Sequence, residues 1–199
     1  MQVITLNPTD FEEHARMLAK AVEEGPAIRY SAIVAVRRGG SFVCDAFCRY
    51  FPKTGYGTRF DVTLQRPSTK RKEGGAARLL KCLPRPILDA MRMAEATIFA
   101  IGRKLKGNNP TPDVIIPDGL KSILTSEKRP QILVIDDAID SGDTLSAIVE
   151  TLKKMNPNAT VSTAVMTVTT RRPRIRADYT LYCNRTLIRF PWSNDYKEN

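Results

Sequence analysis

One histidine, one tryptophan and four cysteines are all that this 199-residue sequence holds of those types. A lone His14 cannot build a multi-imidazole metal shell, and no two cysteines form a C-x-x-C pair. Cys44 and Cys48 would share a helix face, but His14 falls on a different predicted helix. With Cys82 and Cys183, they are expected to be buried free thiols rather than zinc ligands. Long apolar runs are also missing. Nothing approaches the ~20 residues that span a bilayer, and the opening MQVITLNPTDFEEH lacks the basic and then apolar pattern of a secretory signal. The expectation is a cytoplasmic protein with no membrane partner. Acidic residues are scarce: 21 Asp and Glu stand against 31 Lys and Arg, a formal charge of +10. That balance favours an anionic partner, whether a phosphorylated small molecule, nucleic acid or another protein, and charge alone does not choose among them.

What is present reads as an ordinary globular chain, 42% apolar and 26% charged, of a length that suits one domain. Residues 2–6 look like a short strand. Thr9-Asp10-Phe11-Glu12 has a capping-box pattern, and Phe11, Ala15, Leu18, Ala19 and Val22 recur at helical spacing until Gly25-Pro26. The run 31–36, SAIVAV, is apolar on both faces, as a strand covered on both sides should be. It ends in Arg37-Arg38-Gly39-Gly40, and a helical pattern resumes over 42–50. A second strand, loop, helix unit occupies 132–135, an aspartate-rich loop, and a helix over about 144–154. Asn156-Pro157-Asn158 breaks that helix, and 161–168 reads as another strand. Alternation of this kind predicts an α/β fold with a mainly parallel sheet flanked by helices, whose ligands bind at the carboxyl ends of the strands.

Between the two halves the chain changes character. Residues 66–78, RPSTKRKEGGAAR, are polar, basic and glycine-containing, which suggests a mobile loop. Behind Pro84 and Pro86, residues Ile87, Met91, Ala94, Ile98, Ile101 and Leu105 form an apolar seam that must be covered. Its own domain, a second subunit and a lid over the active site are the candidates. KGNNPTP (106–112) is a loop, and 113–117 allows a strand. The organisation expected is one domain over 1–199 with 66–130 inserted in it.

The chemistry concentrates in QILVIDDAIDSGDTL, 131–145. Three carboxylates on one bend repel one another unless a cation or a hydroxyl-rich ligand normally occupies the space between them. Asp136 and Asp137, at a strand's carboxyl end, could accept hydrogen bonds from a vicinal diol or hold a divalent cation. Asp140-Ser141-Gly142-Asp143-Thr144 turns into a helix whose N–H groups and positive end suit a phosphate monoester. Diol and phosphate together point to a ribose 5-phosphate. An EF-hand is excluded because Ile139 and Ile148 would fall where oxygen ligands are required, and a P-loop because G-x-x-x-x-G-K-[ST] is absent. A receiver domain is excluded because too little chain follows the paired aspartates.

The segment VIDDAIDSGDTL resembles the phosphoribosyl pyrophosphate (PRPP) signature of type I phosphoribosyltransferases: an apolar strand, two acids, two spacers, then D-[ST]-G-x-T. HARMLAKAV, IVAVRRGG, RADYTLY and TLIRFPWSND, in matching order, are similar to the bacterial xanthine-guanine and hypoxanthine branch. The likeness covers about 1–60 and 131–199. It implies a Rossmann-like fold with a helical insertion and a small C-terminal hood, Mg²⁺ as cofactor, and PRPP and a nucleobase as substrates, a 6-oxopurine being the first guess. It further implies a purine-salvage role and a homo-oligomer, a dimer in the first instance. Asp136, Asp137, Ala138, Ile139, Asp140, Ser141, Gly142, Asp143 and Thr144 would bind PRPP, with Asp137 and Asp136 toward the metal and Asp140 as general base. Arg37, Arg38, Gly39 and Gly40 would hold pyrophosphate, and Ser68, Lys70 and Arg71 would lie on a closing loop. On the base side fall Leu187, Ile188, Thr169 and Arg171. Leu187 stands where the family has an aromatic ring and Thr169 near its purine-reading lysine, so the resemblance fixes the reaction better than the acceptor. Trp192 is expected to pack rather than to touch a ligand. A second reading, from STKRK and TTRRPRIR, is a regulator that senses PRPP or a nucleotide and binds nucleic acid.

Overall fold

Two apolar strands set the architecture: β2 (Tyr30–Val36) and β5 (Gln131–Ile139) lie side by side and parallel, with Ala32 opposite Ile132 and Ala35 opposite Ile135. Successive side chains on a strand face opposite ways. Ile33, Ala35, Leu133 and Ile135 therefore enter one core, while Ala32, Val34, Val36, Ile132 and Val134 enter another. Both faces are covered, which is why these runs carry no polar alternation. The computed structural model describes residues 2–65, 84–94, 113–183 and 185–197.

The first core is closed by α1 (Pro8–Glu23) and α2 (Gly39–Tyr50), through Phe11, Ala15, Leu18, Val43 and Phe47. The α1 cap lies two residues before the position expected. Asn7 Oδ1 accepts from Asp10 N at 2.8 Å and Asp10 Oδ2 from Asn7 N. Pro8, whose missing N–H costs nothing in a first turn, fixes that start. A short 3₁₀ turn (Lys53–Gly55) then leads into β3 (Tyr56–Gln65), parallel to β2 on its other side. Residues 85–94 form helix α3. Next come β4 (Asp113–Ile115), antiparallel to β3, and α4 (Asp118–Ser126). After β5 follow α5 (Asp143–Met155), β6 (Thr160–Val168) and β7 (Tyr179–Tyr182). Leu120 and Leu124 of α4, with Leu145, Ile148 and Leu152 of α5, close the second core. Among the described residues the sheet order is β4-β3-β2-β5-β6-β7, parallel except for β4. No described helix is long and apolar enough to cross a membrane.

A second, two-stranded sheet pairs β1 (Gln2–Thr5) with β8 (Thr186–Arg189). This hood is tied to α3 by ions. Arg189, 3% exposed, donates to Asp195, to Asp89 of α3 and to Thr5. Arg92 of α3 makes a two-pronged pair with Asp195 (2.7 and 2.6 Å) and donates to the Ile188 carbonyl at 2.8 Å. The docking face of α3 is thus Leu88, Asp89 and Arg92. Ile87, Met91 and Ala94, the described part of the expected seam, are exposed instead. The ion pairs decide the helix's rotation, because a guanidinium drawn into the hood must bring its partners with it. Ile98, Ile101 and Leu105 lie outside the described residues, as does the expected loop 66–78 with Ser68, Lys70 and Arg71.

Of the cysteines, Cys44 is buried with its Sγ 3.9 Å from Cys48 on the same helix face, as the spacing predicts. Cys183 departs from expectation: it follows the last residue of the edge strand β7 and is exposed. Cys82 is outside the described residues.

Burial works against ionisation of Asp195, but the hydrogen bonds and charges of Arg92 and Arg189 outweigh it and hold the carboxyl below the usual aspartate range. Such a group stabilises the fold above its unfolded value, and that stabilisation is lost as pH falls through the folded one. Asp195→Asn should lower unfolding free energy by about 3–5 kcal/mol at pH 7. In urea titrations at several pH values the gap from wild type should narrow below about pH 3.9; a constant gap would contradict this account.

Candidate active site

The carboxyl ends of β2 and β5 are neighbours, so the loops leaving them share one edge of the sheet. Arg37-Arg38 leaves β2 through a cis peptide and passes into the first turn of α2 at Gly39 and Gly40. The backbone of Arg37 is steadied from the other side, its N–H donating to Val62 O of β3 at 3.0 Å. A β-carbon on Gly39 would overlap the Asp137 carboxylate, and one on Gly40 would stand 2.8 Å from the Ile135 carbonyl oxygen. Only glycine lets the two loops come this close. The arginine-glycine loop and the acidic pair therefore form one continuous surface.

Asp136 is buried, and its Oδ1 accepts from the Asp137 N–H at 2.9 Å. Its pKa is pushed well above the usual range, first by loss of water and then by the neighbouring Asp137 and Asp140. Asp137, half-buried, is raised as well, again mainly by desolvation and with Asp140 adding to it, against hydrogen bonds from Asp136 and nearby backbone. Two carboxyl groups held this way favour any bound cation or hydroxyl donor that takes up the charge.

Strand β5 continues through Ala138 to Ile139, so both aspartates are strand residues rather than loop residues, and Ile139 is buried in the second core. The bend Asp140-Ser141-Gly142 follows. Gly142 adopts φ 83°, and a β-carbon there would press on the backbone N atoms of Arg174 and Ile175 at 3.1 and 3.0 Å. The Arg174 N–H in turn donates to Ser141 O at 2.8 Å, so the 171–176 segment backs the bend. Ser141 Oγ accepts from Asp143 N at 3.2 Å, and Asp143 and Thr144 open α5. The bend thus ends on the positive pole of a 13-residue helix,. Asp140 is exposed, and its Oδ1 accepts from the Thr169 hydroxyl at 2.7 Å. Thr169 is itself held by its N–H to Ile139 O at 2.9 Å.

The expected residues divide in two. Arg37 to Gly40, Asp136 to Thr144 and Thr169 gather at one edge of the sheet. Leu187 and Ile188 are buried in the hood, where the Ile188 carbonyl already accepts from Arg92, and Arg171 is exposed beyond Thr169. Trp192 packs as expected, stacked on Phe190 and Phe42 and edge-on to Phe11. Sequence reasoning missed the support behind the pyrophosphate loop candidate: Ser41 donates to Asp61 at 2.6 Å, and Asp61 accepts from Arg59, which also donates to Cys44 Sγ. A signal existed in FDV, an acid inside a strand-like stretch, but it needs its partner 20 residues away to acquire meaning. Among the described residues no cluster of three or more His, Cys, Asp or Glu side chains could cage a metal.

Solved structures share this fold at low identity. A purine phosphoribosyltransferase from Pyrococcus horikoshii is 16% identical with a TM-score of 0.57, the match covering 96% of this chain and 94% of that one. The Helicobacter pylori xanthine-guanine-hypoxanthine phosphoribosyltransferase is also 16% identical, with a TM-score of 0.58 and the same coverage. A Neisseria gonorrhoeae protein with bound ppGpp is 16% identical, with a TM-score of 0.56 over 96% of this chain and 89% of that one. No curated protein sequence matches this one. The family model for the phosphoribosyl transferase domain matches residues 4–199, and with the parallel sheet and its paired edge loops this shows that the chain belongs to the phosphoribosyltransferase family.

Proposed function

We propose that the protein transfers the 5-phosphoribosyl group of PRPP to a nucleobase nitrogen, a 6-oxopurine in the first instance, and releases pyrophosphate. The observation that carries this reading is the contact of the glycine loop with Asp137 and Asp136 at the ends of adjacent parallel strands. It joins a cationic cradle for a diphosphate to an acidic floor for a diol, with the phosphate bend alongside.

The donor set fits a hard divalent cation. Asp136 and Asp137 offer only oxygens, and Mg²⁺ is commonly held by one or two carboxylates plus substrate phosphates rather than by a protein cage. Asp137 and Asp136 would hold the ion, which would supply charge neutralisation on the diphosphate. The ribose hydroxyls donate to the Asp136–Asp137 pair. The 5-phosphate sits on the bend from Asp140 to Thr144, against backbone N–H groups and the start of α5. Arg37 and Arg38 donate to the diphosphate, and Gly39 and Gly40 let it approach the backbone.

In the reaction the base nitrogen donates its lone pair to C1 of the ribose, and the C1–O bond breaks with its electrons leaving on pyrophosphate. Positive charge on the sugar peaks midway, above the acidic pair, and negative charge grows toward the arginines. Asp140, reaching outward beside Thr169, receives the proton from the base nitrogen. Thr169 orients that carboxylate through its 2.7 Å hydrogen bond. Leu187 supplies an apolar surface for the base. Ile188, with one lone pair of its carbonyl given to Arg92, and Arg171 complete the acceptor side.

Incubation with Mg²⁺, PRPP and a panel of purines, pyrimidines and related heterocycles should give pyrophosphate and a nucleoside monophosphate with one class of base. Silence across the panel would refute the reading. Asp140→Asn should lower turnover by about 10²–10⁴-fold with an unchanged far-UV spectrum and melting temperature.

Asp136→Asn should separate function from stability. A carboxyl whose folded pKa is raised costs the native state nothing at low pH, and its penalty grows as pH climbs above the unfolded value of about 3.9. The free variant, which keeps the acceptor for Asp137 N–H, should therefore be more stable than wild type at pH 7, losing that advantage near pH 4. Pyrophosphate release should be lost at every pH. A variant less stable than wild type at neutral pH would show that Asp136 is structural.

A further inference from the structure

The basic stretch TTRRPRIR is only partly used by the site just described. Its backbone holds the phosphate bend, yet Arg171, Arg172, Arg174 and Arg176 are all exposed. Between this segment and α5 runs an open groove of about 530 Å³, lined by Arg174 and Ile175 on one wall and by Ser146, Glu150, Lys153 and Lys154 on the other. The helix positions are spaced by four, three and one, so they share one face of α5.

Charge in and around this groove is one-sided. Six cations, Lys153, Lys154, Arg171, Arg172, Arg174 and Arg176, stand on the two flanking segments. Glu150 is the one acid lining the groove, and it is spent locally, accepting from Ser146 at 2.7 Å and from Arg174 at 3.1 Å. Asp178, next along the chain, is occupied by the Thr163 N–H and hydroxyl at 2.7 and 2.8 Å. The helix dipole accounts for two lysines in the last turn of α5. It does not account for four exposed arginines in six residues, of which only Arg174 is paired with Glu150. Arginine is the side chain best matched to phosphate.

The shape narrows the choice of anion. The groove is open rather than enclosing, as an extended chain requires and a small metabolite does not. Ser146 to Lys154 spans about 12 Å of helix, enough for Lys153, Lys154 and one or two of the arginines to meet successive phosphates of one strand. Its apolar residues are Val149 and Ile175, and it holds no aromatic anchor of the kind that seats a protein partner or enters a lipid surface,. We infer that the groove between α5 and the 171–176 segment is a docking surface for the phosphodiester backbone of single-stranded nucleic acid. It lies behind the phosphate bend, so a strand bound there and a substrate in the candidate active site would press on the same backbone from opposite sides, through the Arg174 N–H to Ser141 O bond.

The test is fluorescence anisotropy of the full chain with a labelled RNA of about 20 nucleotides across a salt series. Binding should weaken roughly 15- to 60-fold between about 50 and about 200 mM salt, as three or four released counterions require. Lys153→Gln/Lys154→Gln/Arg176→Gln, all outside the candidate active site, should lose at least about tenfold in affinity at low salt and flatten the salt slope. Its PRPP-dependent turnover and melting temperature should match wild type. The charge-reversed triple Glu variant should bind more weakly still. Two results would overturn the inference: no binding at low salt, or equal binding by wild type and triple variant. A duplex of the same length binding as tightly as the single strand would overturn the choice of ligand.

Discussion

The acidic pair at the end of β5 is the constraint on which the rest of the site depends. Asp136 is held where water is excluded and beside the charge of Asp137, and Asp137 is raised mainly by its own desolvation, with Asp140 adding to it. A fold tolerates such a pair only if its neighbours are fixed first. Here they are fixed by the two central strands, whose apolar side chains fill both cores and leave no freedom of register,. The glycine loop from β2 then has one route past Asp137, and any side chain at Gly39 would close it. Local instability and precise placement have the same origin, since the free energy withheld from the empty site becomes available to a ligand that neutralises it.

Around that pair the structure is layered by distance. Arg37 is steadied by β3, the bend at Ser141 and Gly142 by the 171–176 segment, and Asp140 by Thr169. The first support comes from a strand and the other two from the segment that follows β6, and none of the three supporting groups is acidic. The Ser41–Asp61–Arg59–Cys44 chain extends this from the first turn of α2 back to β3. A thiol donated to by an arginine in such a chain is a structural acceptor here: the hydrogen bond with Cys48 and then burial raise the Cys44 pKa, so it stays protonated,.

The central fold was legible because its information is local. SAIVAV and ILVI are short, β-branched and apolar on both faces, and each runs into a turn and a helix within a dozen residues. β3 was not legible: among its ten residues only Val62 is fully buried, so no clean alternation marks it. α4 went unread for a similar reason, since two buried leucines in nine residues make too short a pattern. In the seam, Ile87 and Met91 keep the helical period but face outward rather than into their own domain. Helical spacing identifies a stripe of apolar residues, but Arg92 finds Asp195 at a separation of 103 residues, and that pairing turns the helix. The phosphate bend, where strand, glycine and helix start are contiguous, needed no such long-range knowledge.

The acceptor side is hard to read for the same reason. A base would meet the hood, and the hood's geometry is set by Arg189 and Arg92 sharing Asp195, with Asp89 and Thr5 taking the remaining donors. Five residues from three regions of the chain have to be in place before the Ile188 carbonyl has a fixed direction. Because Arg92 already occupies one side of that oxygen, whatever a base donates to Ile188 must come along the other lone pair,. Through Arg92, α3 therefore fixes the direction of the Ile188 carbonyl, on which the proposed acceptor side relies. The sugar end of such a site is written in one contiguous bend, and the base end in the ion pairs that hold a helix from elsewhere against the hood.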